Sequence, residues 1–456
     1  MALLLIKNGT IINANDTFKA DVLIEDAQII RIEKNMLLPD ADVTVIDATA
    51  KYIIPGGIDT HVHLDLPTPA GNSSDDFFSG SIAALAGGTT CIIDFVTPSR
   101  GESLLQALYK RKAVASTSCI DYSLHVGITW WNNSLAEEIE YCMKHEGITS
   151  FKTYLAYKGN IGISYEEFYE VMKVVAKFNG LLTVHCEDGD SVYAMQQQLI
   201  KEGKTSPRYH ALSRPAEVEA EAVEKVLAMA AETQCKVYLV HISAAKSMDV
   251  INRYRTKNVF VETCPHYLLL NEEVYNNDDF EIAKYVISPP LRSKTDNEIL
   301  WHQLSENLID TVATDHCPFN LQGQKDKGKH NFTRIPNGAG SIEYRTALLY
   351  TYGVLTNIIT LQQWVALTST HAAEIFGISN TKGSITIGKD ADIVIWDIEK
   401  EKIISVDNQY QHCDSNIYEG FHLKGLPEMV ICKGKIVFEN EKVNTNDLKG
   451  AFLYRT

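Results

Sequence analysis

The sequence predicts an α/β fold, a (β/α)8 TIM-like barrel with a β-sandwich built from its two ends, and three observations lead there. Apolar strand-like runs alternate with helical stretches through the middle of the 456-residue chain, which is the α/β signature. Candidate strands begin near Ile58, Thr89, Ile120, Thr149 and Leu181, at spacings of 31, 31, 29 and 32 residues, then near Val237, Asn258 and Thr311, which completes a set of eight. Both ends instead show short β-like runs separated by turn residues, with no helical period between them. A doubly wound open sheet is the alternative, and no G-x-G-x-x-G turn follows any of the strands to support it.

Taken in order, residues 1–55 carry the runs Leu3 to Ile6, Thr10 to Ile12, Val22 to Ile24, Ile29 to Ile32 and Val43 to Ile46. Similar runs return in 380–456, at Gly383 to Gly388, Ala391 to Trp396 and Met429 to Phe438. Each tail is too small to bury a core alone, so the two are expected to meet as one sandwich, with residues 56–379 inserted between them as the barrel. Helices are expected within that insertion at Ser103 to Ala115, Tyr165 to Phe178, Ala216 to Ala231 and Glu298 to Leu308.

Bulk composition narrows the function. With 45% hydrophobic and 22% charged residues the chain reads as globular, and a net charge of −16 without any Lys/Arg stripe speaks against nucleic acid or an anionic membrane as partner. The opening Met-Ala-Leu-Leu-Leu-Ile is too short for a signal sequence and no run reaches the ~18 apolar residues of a membrane span, so a cytoplasmic location is expected. The nine cysteines are scattered and never in C-x-x-C spacing, which fits reduced thiols.

The chemistry lies at the strand ends. Gly56-Gly-Ile-Asp-Thr-His-Val-His63 alternates so that His61 and His63 share one side of a strand, a pincer for zinc or a similar ion. Strand four runs into Lys152, strand five ends at His185, strand six at His241 and strand eight at Asp315. Five of eight strands thus end in a metal-capable or titratable side chain at the rim where barrel active sites lie. Scattered structural histidines would not select that rim, and His125, His145, His302, His371, His412 and His422 do not recur there. Lys152 admits two readings. Buried beside cations its neutral amine could take up carbon dioxide as a carbamate bridging two ions, or its ammonium could pair with a carboxylate such as Asp315 and leave room for one.

At these residues the chain resembles the cyclic amidohydrolases of the amidohydrolase superfamily, and within them the dihydropyrimidinase and hydantoinase branch. The resemblance rests on the first-strand motif, Ser150-Phe-Lys-Thr-Tyr-Leu-Ala-Tyr-Lys-Gly159, Val184-His-Cys-Glu187, Val240-His-Ile-Ser243, Glu262-Thr-Cys-Pro-His-Tyr267, Ser288-Pro-Pro-Leu-Arg292, Thr314-Asp-His-Cys-Pro-Phe319 and Lys382 to Asp392. It implies two zinc ions, one held by His61, His63 and Asp315 and the other by His185 and His241, with carboxylated Lys152 between them. It also implies that Tyr157, Ser288 and Asn337 bind substrate, that Asp315 and Tyr157 act in catalysis, and that the protein is a homotetramer. The reaction so implied is ring opening of a dihydropyrimidine or hydantoin to an N-carbamoyl amino acid. Allantoinase and dihydroorotase are the neighbouring alternatives, and a non-catalytic scaffold of the same fold is a third. Dihydroorotases carry an arginine where this chain has Asp65, a carboxylate expected to repel an anionic substrate. The branch usually has a proline-containing turn after the Asn-Gly pair, whereas here the run is Ile335-Pro-Asn-Gly-Ala-Gly-Ser-Ile-Glu343. Leu66, Phe95, Tyr154 and Leu155 are candidates to line the pocket, and Leu66 to Ser74 to form its rim loop.

Overall fold

The computed structural model describes residues 3–37, 42–277, 279–446 and 448–456. Eight parallel strands run Gly57–Val62, Thr89–Val96, Asp121–Gly127, Ser150–Tyr154, Leu181–His185, Lys236–Leu239, Val259–Thr263 and Thr311–Val312, each paired with the next in sequence order. The parallel bridge Val62 to His316 and the bond from the His63 amide to the His316 carbonyl (2.8 Å) join the eighth strand to the first, closing the barrel. Its strands are buried along nearly their whole length, as a parallel sheet covered by helices requires. The eighth differs from the sequence reading. Only Thr311–Val312 pairs regularly, and Asp315 stands beyond it at a positive φ of 49°.

The expected helices form as Leu104–Ala115, Tyr165–Lys177, Ala216–Thr233 and Lys294–Ser305. The last begins four residues before the expected Glu298, because Ser293 and Asp296 form a reciprocal capping box there that apolar periodicity does not reveal.

The termini build two sheets. One has four strands, in the order Gln28–Glu33, Asp21–Glu25, Leu3–Lys7 and Val43–Asp47. The other has seven and interleaves both tails, because Ile393–Ile403 pairs antiparallel with Tyr52–Pro55 on one side and with His422–Cys432 on the other. Leu4, Ile6, Val22, Ile24, Ile53, Ile393, Ile395 and Ile431 share one buried core, so neither tail excludes water from its apolar face without the other. Three strands, Thr17–Lys19, Tyr52–Pro55 and Lys442–Val443, escape the sequence reading. Gly383 to Gly388, expected as strand, is not one. Ile385 is buried there, and its amide is taken by the Asn13 side chain at 2.9 Å instead of a ladder.

Gly56 and Gly57 mark the passage from sandwich to barrel. A Cβ on Gly56 would lie 2.1 Å from Thr90 Oγ1, and one on Gly57 would lie 2.9 Å from the Arg345 guanidinium. That close approach explains the glycine pair preceding the histidine motif. A buried ion cluster ties the two units, with Lys382 Nζ donating to Asp121 at 2.7 Å and Asp392 at 2.6 Å. Arg455 then returns to the barrel, fully buried, to donate to Ser150 Oγ at 2.6 Å. Among the described residues no helix is long and apolar enough to cross a membrane.

Candidate metal centre and active site

The strand ends deliver their side chains to one point. Asp315 Oδ1 lies 3.2 Å from His61 Nε2 and 3.0 Å from His63 Nε2. His185 Nδ1 faces His241 Nε2 at 3.0 Å, and the His61 and His241 rings are 5.3 Å apart between centroids. Ligand atoms of His61, His241 and Asp315 all fall within 4.8 Å of one another. Lys152 lies among them, fully buried, its Nζ without a hydrogen-bond partner and 5.0 Å above the Phe95 ring.

Neighbouring carboxylates decide which imidazole nitrogen is free. Glu262 Oε1 accepts from His61 Nδ1 at 2.7 Å, and Glu187 Oε2 accepts from His185 Nε2 at 2.8 Å. With those nitrogens protonated, the lone pairs of His61 Nε2 and His185 Nδ1 point inward. His61 Nε2 and Asp315 Oδ1 are then two acceptors facing each other at hydrogen-bond distance, an arrangement that favours a cation between them. Burial lowers the pKa of His63, His185 and His241, keeping the imidazoles neutral and ligand-competent. Burial alone would raise that of Asp315, but the hydrogen bond it takes from His63 works the other way and its carboxyl is held below the usual range. For Lys152 burial pulls the ammonium down to about 8, with Glu262 and Asp315 opposing. The pairing of Lys152 with Asp315 is not formed, and an amine that is buried, partnerless and easily neutralised fits the carbamate reading.

Three residues here have backbones in the left-handed region that side chains seldom adopt: Tyr157 at φ 61°, His241 at 42° and Asp315 at 49°. Each costs on the order of 1–3 kcal/mol and persists where the surroundings over-determine it. Tyr157 is held from two sides. Arg214, which also binds Glu187, stacks 5.5 Å from its ring, and Ser288 bonds its hydroxyl, whose pKa burial pushes up to about 12. Asn337 Nδ2 donates to Ser288 Oγ at 2.9 Å, so the three residues that the resemblance assigns to substrate binding lie together on one wall. The loop after Asn337 is pinned by the Gly338 amide on the Val286 carbonyl (3.0 Å), the Ala339 carbonyl on the Cys317 amide (3.0 Å) and the Ser341 amide on His316 Nδ1 (3.1 Å).

All nine sequence-nominated residues line one cavity of about 890 Å3. Leu66 and Tyr154 line it too, as does the rim from Pro67 to Ala70, whereas Phe95 and Leu155 pack behind as core. Asp65 corrects the sequence argument. It is not among the residues lining the cavity, and its carboxylate accepts from Asn72 Nδ2 at 2.7 Å, so it is not placed to meet a bound substrate directly. Arg292 and Glu343 lie outside the cavity lining, Arg292 binding Ser243 and Glu219 and Glu343 binding Lys402. Sequence reasoning assigned no role to Glu262 or Arg214. A glutamate next to the end of the apolar strand Val259–Thr263 is the signal that could have found the first, and Arg214 gives none.

A four-histidine, aspartate and lysine cluster at the mouth of such a barrel defines a metal-dependent hydrolase, and residues 52–437 match the Amidohydrolase family, to which the chain belongs. Within that family the chain is a cyclic amidohydrolase of the hydantoinase and dihydropyrimidinase branch. It is 40% identical to a D-hydantoinase of Geobacillus stearothermophilus over 96% of this chain and 93% of that one. It is likewise 40% identical to a dihydropyrimidinase of Dictyostelium discoideum, over 99% and 90%. The crystal structure of dihydropyrimidinase from Brevibacillus agri NCHU1002 superposes with a TM-score of 0.97 at 40% identity, covering 100% of this chain and 99% of that one. Such relatives do not favour the allantoinase, dihydroorotase or scaffold readings.

Proposed function

We propose that the protein opens the ring of 5,6-dihydropyrimidines and 5-substituted hydantoins, giving N-carbamoyl β-amino and α-amino acids. The observation that carries this reading is the convergence of four imidazoles and Asp315 around the partnerless amine of Lys152. His61, His63 and Asp315 would hold one divalent ion, zinc by preference for imidazole and carboxylate, and His185 and His241 a second. Lys152 Nζ would add carbon dioxide, losing a proton, and its carbamate would be shared between them. Bound there, the ions supply Lewis-acid polarisation of the carbonyl and a water acidic enough to react near neutral pH.

The chain's own groups do the rest. Tyr157 donates its hydroxyl hydrogen to the oxygen that gains charge as water attacks the carbonyl carbon. Its high pKa keeps that hydrogen in place at working pH. Asp315 accepts the proton of the attacking water and returns it to the ring nitrogen as the C–N bond breaks, first base and then acid. Ser288 and Asn337 hold the imide edge of the ring, largely through backbone groups, since its alternating C=O and N–H groups match a main chain.

A panel of dihydrouracil, hydantoin, 5-phenylhydantoin, allantoin and dihydroorotate, followed by ultraviolet loss of the ring, tests the reading. Opening of at least one of the first three is expected, D-enantiomers first where the substituent creates one, because several relatives are named D-hydantoinase. Turnover of allantoin or dihydroorotate alone would overturn it. The family resemblance further supports a homotetramer in the cytoplasm. Light scattering giving a mass other than four chains, or fractionation placing the protein elsewhere, would refute those parts.

A further inference from the structure

Lys325 is buried to 1% exposure in the short turn Lys325–Gly328 behind the cavity wall, and no acidic partner among the described residues neutralises it. Its Nζ instead donates to two carbonyls, Val286 at 3.1 Å and Pro336 at 3.2 Å. Those carbonyls belong to the segments that carry Ser288 and Asn337, which are distant in sequence and meet at the substrate wall. The Val286 carbonyl also takes the Gly338 amide at 3.0 Å, so a second bond crosses the same junction. The turn reaches the opposite rim as well, where Lys327 Nζ donates to the Ala70 carbonyl at 2.8 Å.

Burying an ammonium against neutral carbonyls is costly, and a methionine would fill the same space without that penalty. Burial accordingly draws the Lys325 ammonium down to about 8. The lysine therefore brings something besides packing. Two carbonyls tied to one Nζ fix the spacing of two backbones, which matters most where a ligand is read by main-chain groups and no side-chain replacement can restore the geometry.

We propose that Lys325 is a positioning residue that sets the separation of the Ser288 and Asn337 backbones and thereby the affinity for the imide edge of the ring. This rests on the ring-opening reading above. Lys325 touches neither substrate nor metal ligand, so its loss should raise KM and leave the chemical step nearly intact.

The test uses full-length, metal-loaded Lys325→Met, with Lys325→Gln as a second variant that keeps one donor. Expected for Lys325→Met is a KM raised roughly tenfold or more with kcat within about threefold, unchanged metal content, and faster hydrogen exchange at the Gly338 amide but not in the Leu181–His185 strand. Lys325→Gln should fall between it and the wild type. Unchanged KM in the folded variants, or loss of kcat at constant KM, overturns the inference, and so does failure of both variants to fold, which would make Lys325 a general stability element. If the wild type opens none of the rings, the ring-opening reading falls by itself, and the Gly338 exchange rate still decides whether Lys325 holds the two segments.

Discussion

Glu262 gives the sharpest test of how the metal centre is held. It is completely buried and gathers four groups. Oε1 accepts from His61 Nδ1 at 2.7 Å and from the His241 amide at 3.0 Å, while Oε2 accepts from the Tyr238 hydroxyl at 2.8 Å and from Thr60 Oγ1 at 3.2 Å. Glu262→Gln can preserve this geometry, its amide oxygen facing the two N–H donors and its amide nitrogen the two hydroxyls, which can turn to accept. What it removes is the charge that makes the His61 bond strong. Hydrogen bonds to charged groups contribute ~1.5–3 kcal/mol against ~0.5–1.5 kcal/mol for neutral ones, a difference of about 1–1.5 kcal/mol. Since ~1.36 kcal/mol is a factor of ten, metal affinity should fall about tenfold, the lower end of the ~10–100-fold typical for groups supporting a ligand histidine. Glu262→Ala instead orphans the His61 and His241 N–H groups, at ~1–3 kcal/mol each, and should lower the melting temperature as well as the affinity. Metal retained on dialysis against a graded chelator series, read beside thermal unfolding, separates the two effects. A folded Glu262→Gln that holds metal within about twofold of the wild type would refute the reasoning.

Lys152→Ala is expected to abolish ring hydrolysis and reduce the metal content, and full activity in that variant would exclude any bridging role. Because burial draws the Lys152 ammonium down to about 8, the neutral amine that reacts with carbon dioxide gains population as pH rises toward that value. Reconstitution of metal-free protein with zinc and bicarbonate should therefore quicken between pH 6.5 and 8.5, and a rate flat across that window counts against the carbamate. Tyr157→Phe keeps the ring between Arg214 and His185 but removes the oxyanion donor, so kcat should drop by roughly 10²–10³ with little change in metal content. An unaltered kcat would remove Tyr157 from the mechanism.

How much of this was legible in the chain depends on where each constraint resides. His61, His185 and Lys152 were readable because a strand ends in a fixed direction, so a polar residue closing an apolar run is placed on the rim by local geometry alone. His241 and Asp315 were readable by the same rule but sit past the last paired residue, at Leu239 and Val312, in a backbone conformation that sequence does not display. The sandwich was inferable only because each tail is too small to be stable alone, and its missing strands, Thr17–Lys19, Tyr52–Pro55 and Lys442–Val443, take their definition from partners elsewhere in the sheet. Asp65 shows the opposite failure. Its place in the motif suggested an electrostatic role, but Arg111, which binds the Leu64 and Asp65 carbonyls and Asp94, holds the backbone there, while Asn72 takes the carboxylate away from the cavity.

The groups that sequence missed share a property. Glu262, Arg214 and Lys325 are buried charges whose partners lie far away in sequence, and Glu187 sits two residues from the His185 it binds, yet each acts on a nominated residue or on the segment that carries one. Burying them is unfavourable, which means a chain selected for stability alone would shed them. Their retention at the back of the site follows if orienting the first ring of residues is what they supply. On that argument apolar replacement of these charges should damage metal affinity or KM more than it damages folding. Lys382, buried among Asp121 and Asp392 far from the cavity, is the control: its loss should cost stability and leave the metal affinity and KM of the surviving folded protein unchanged.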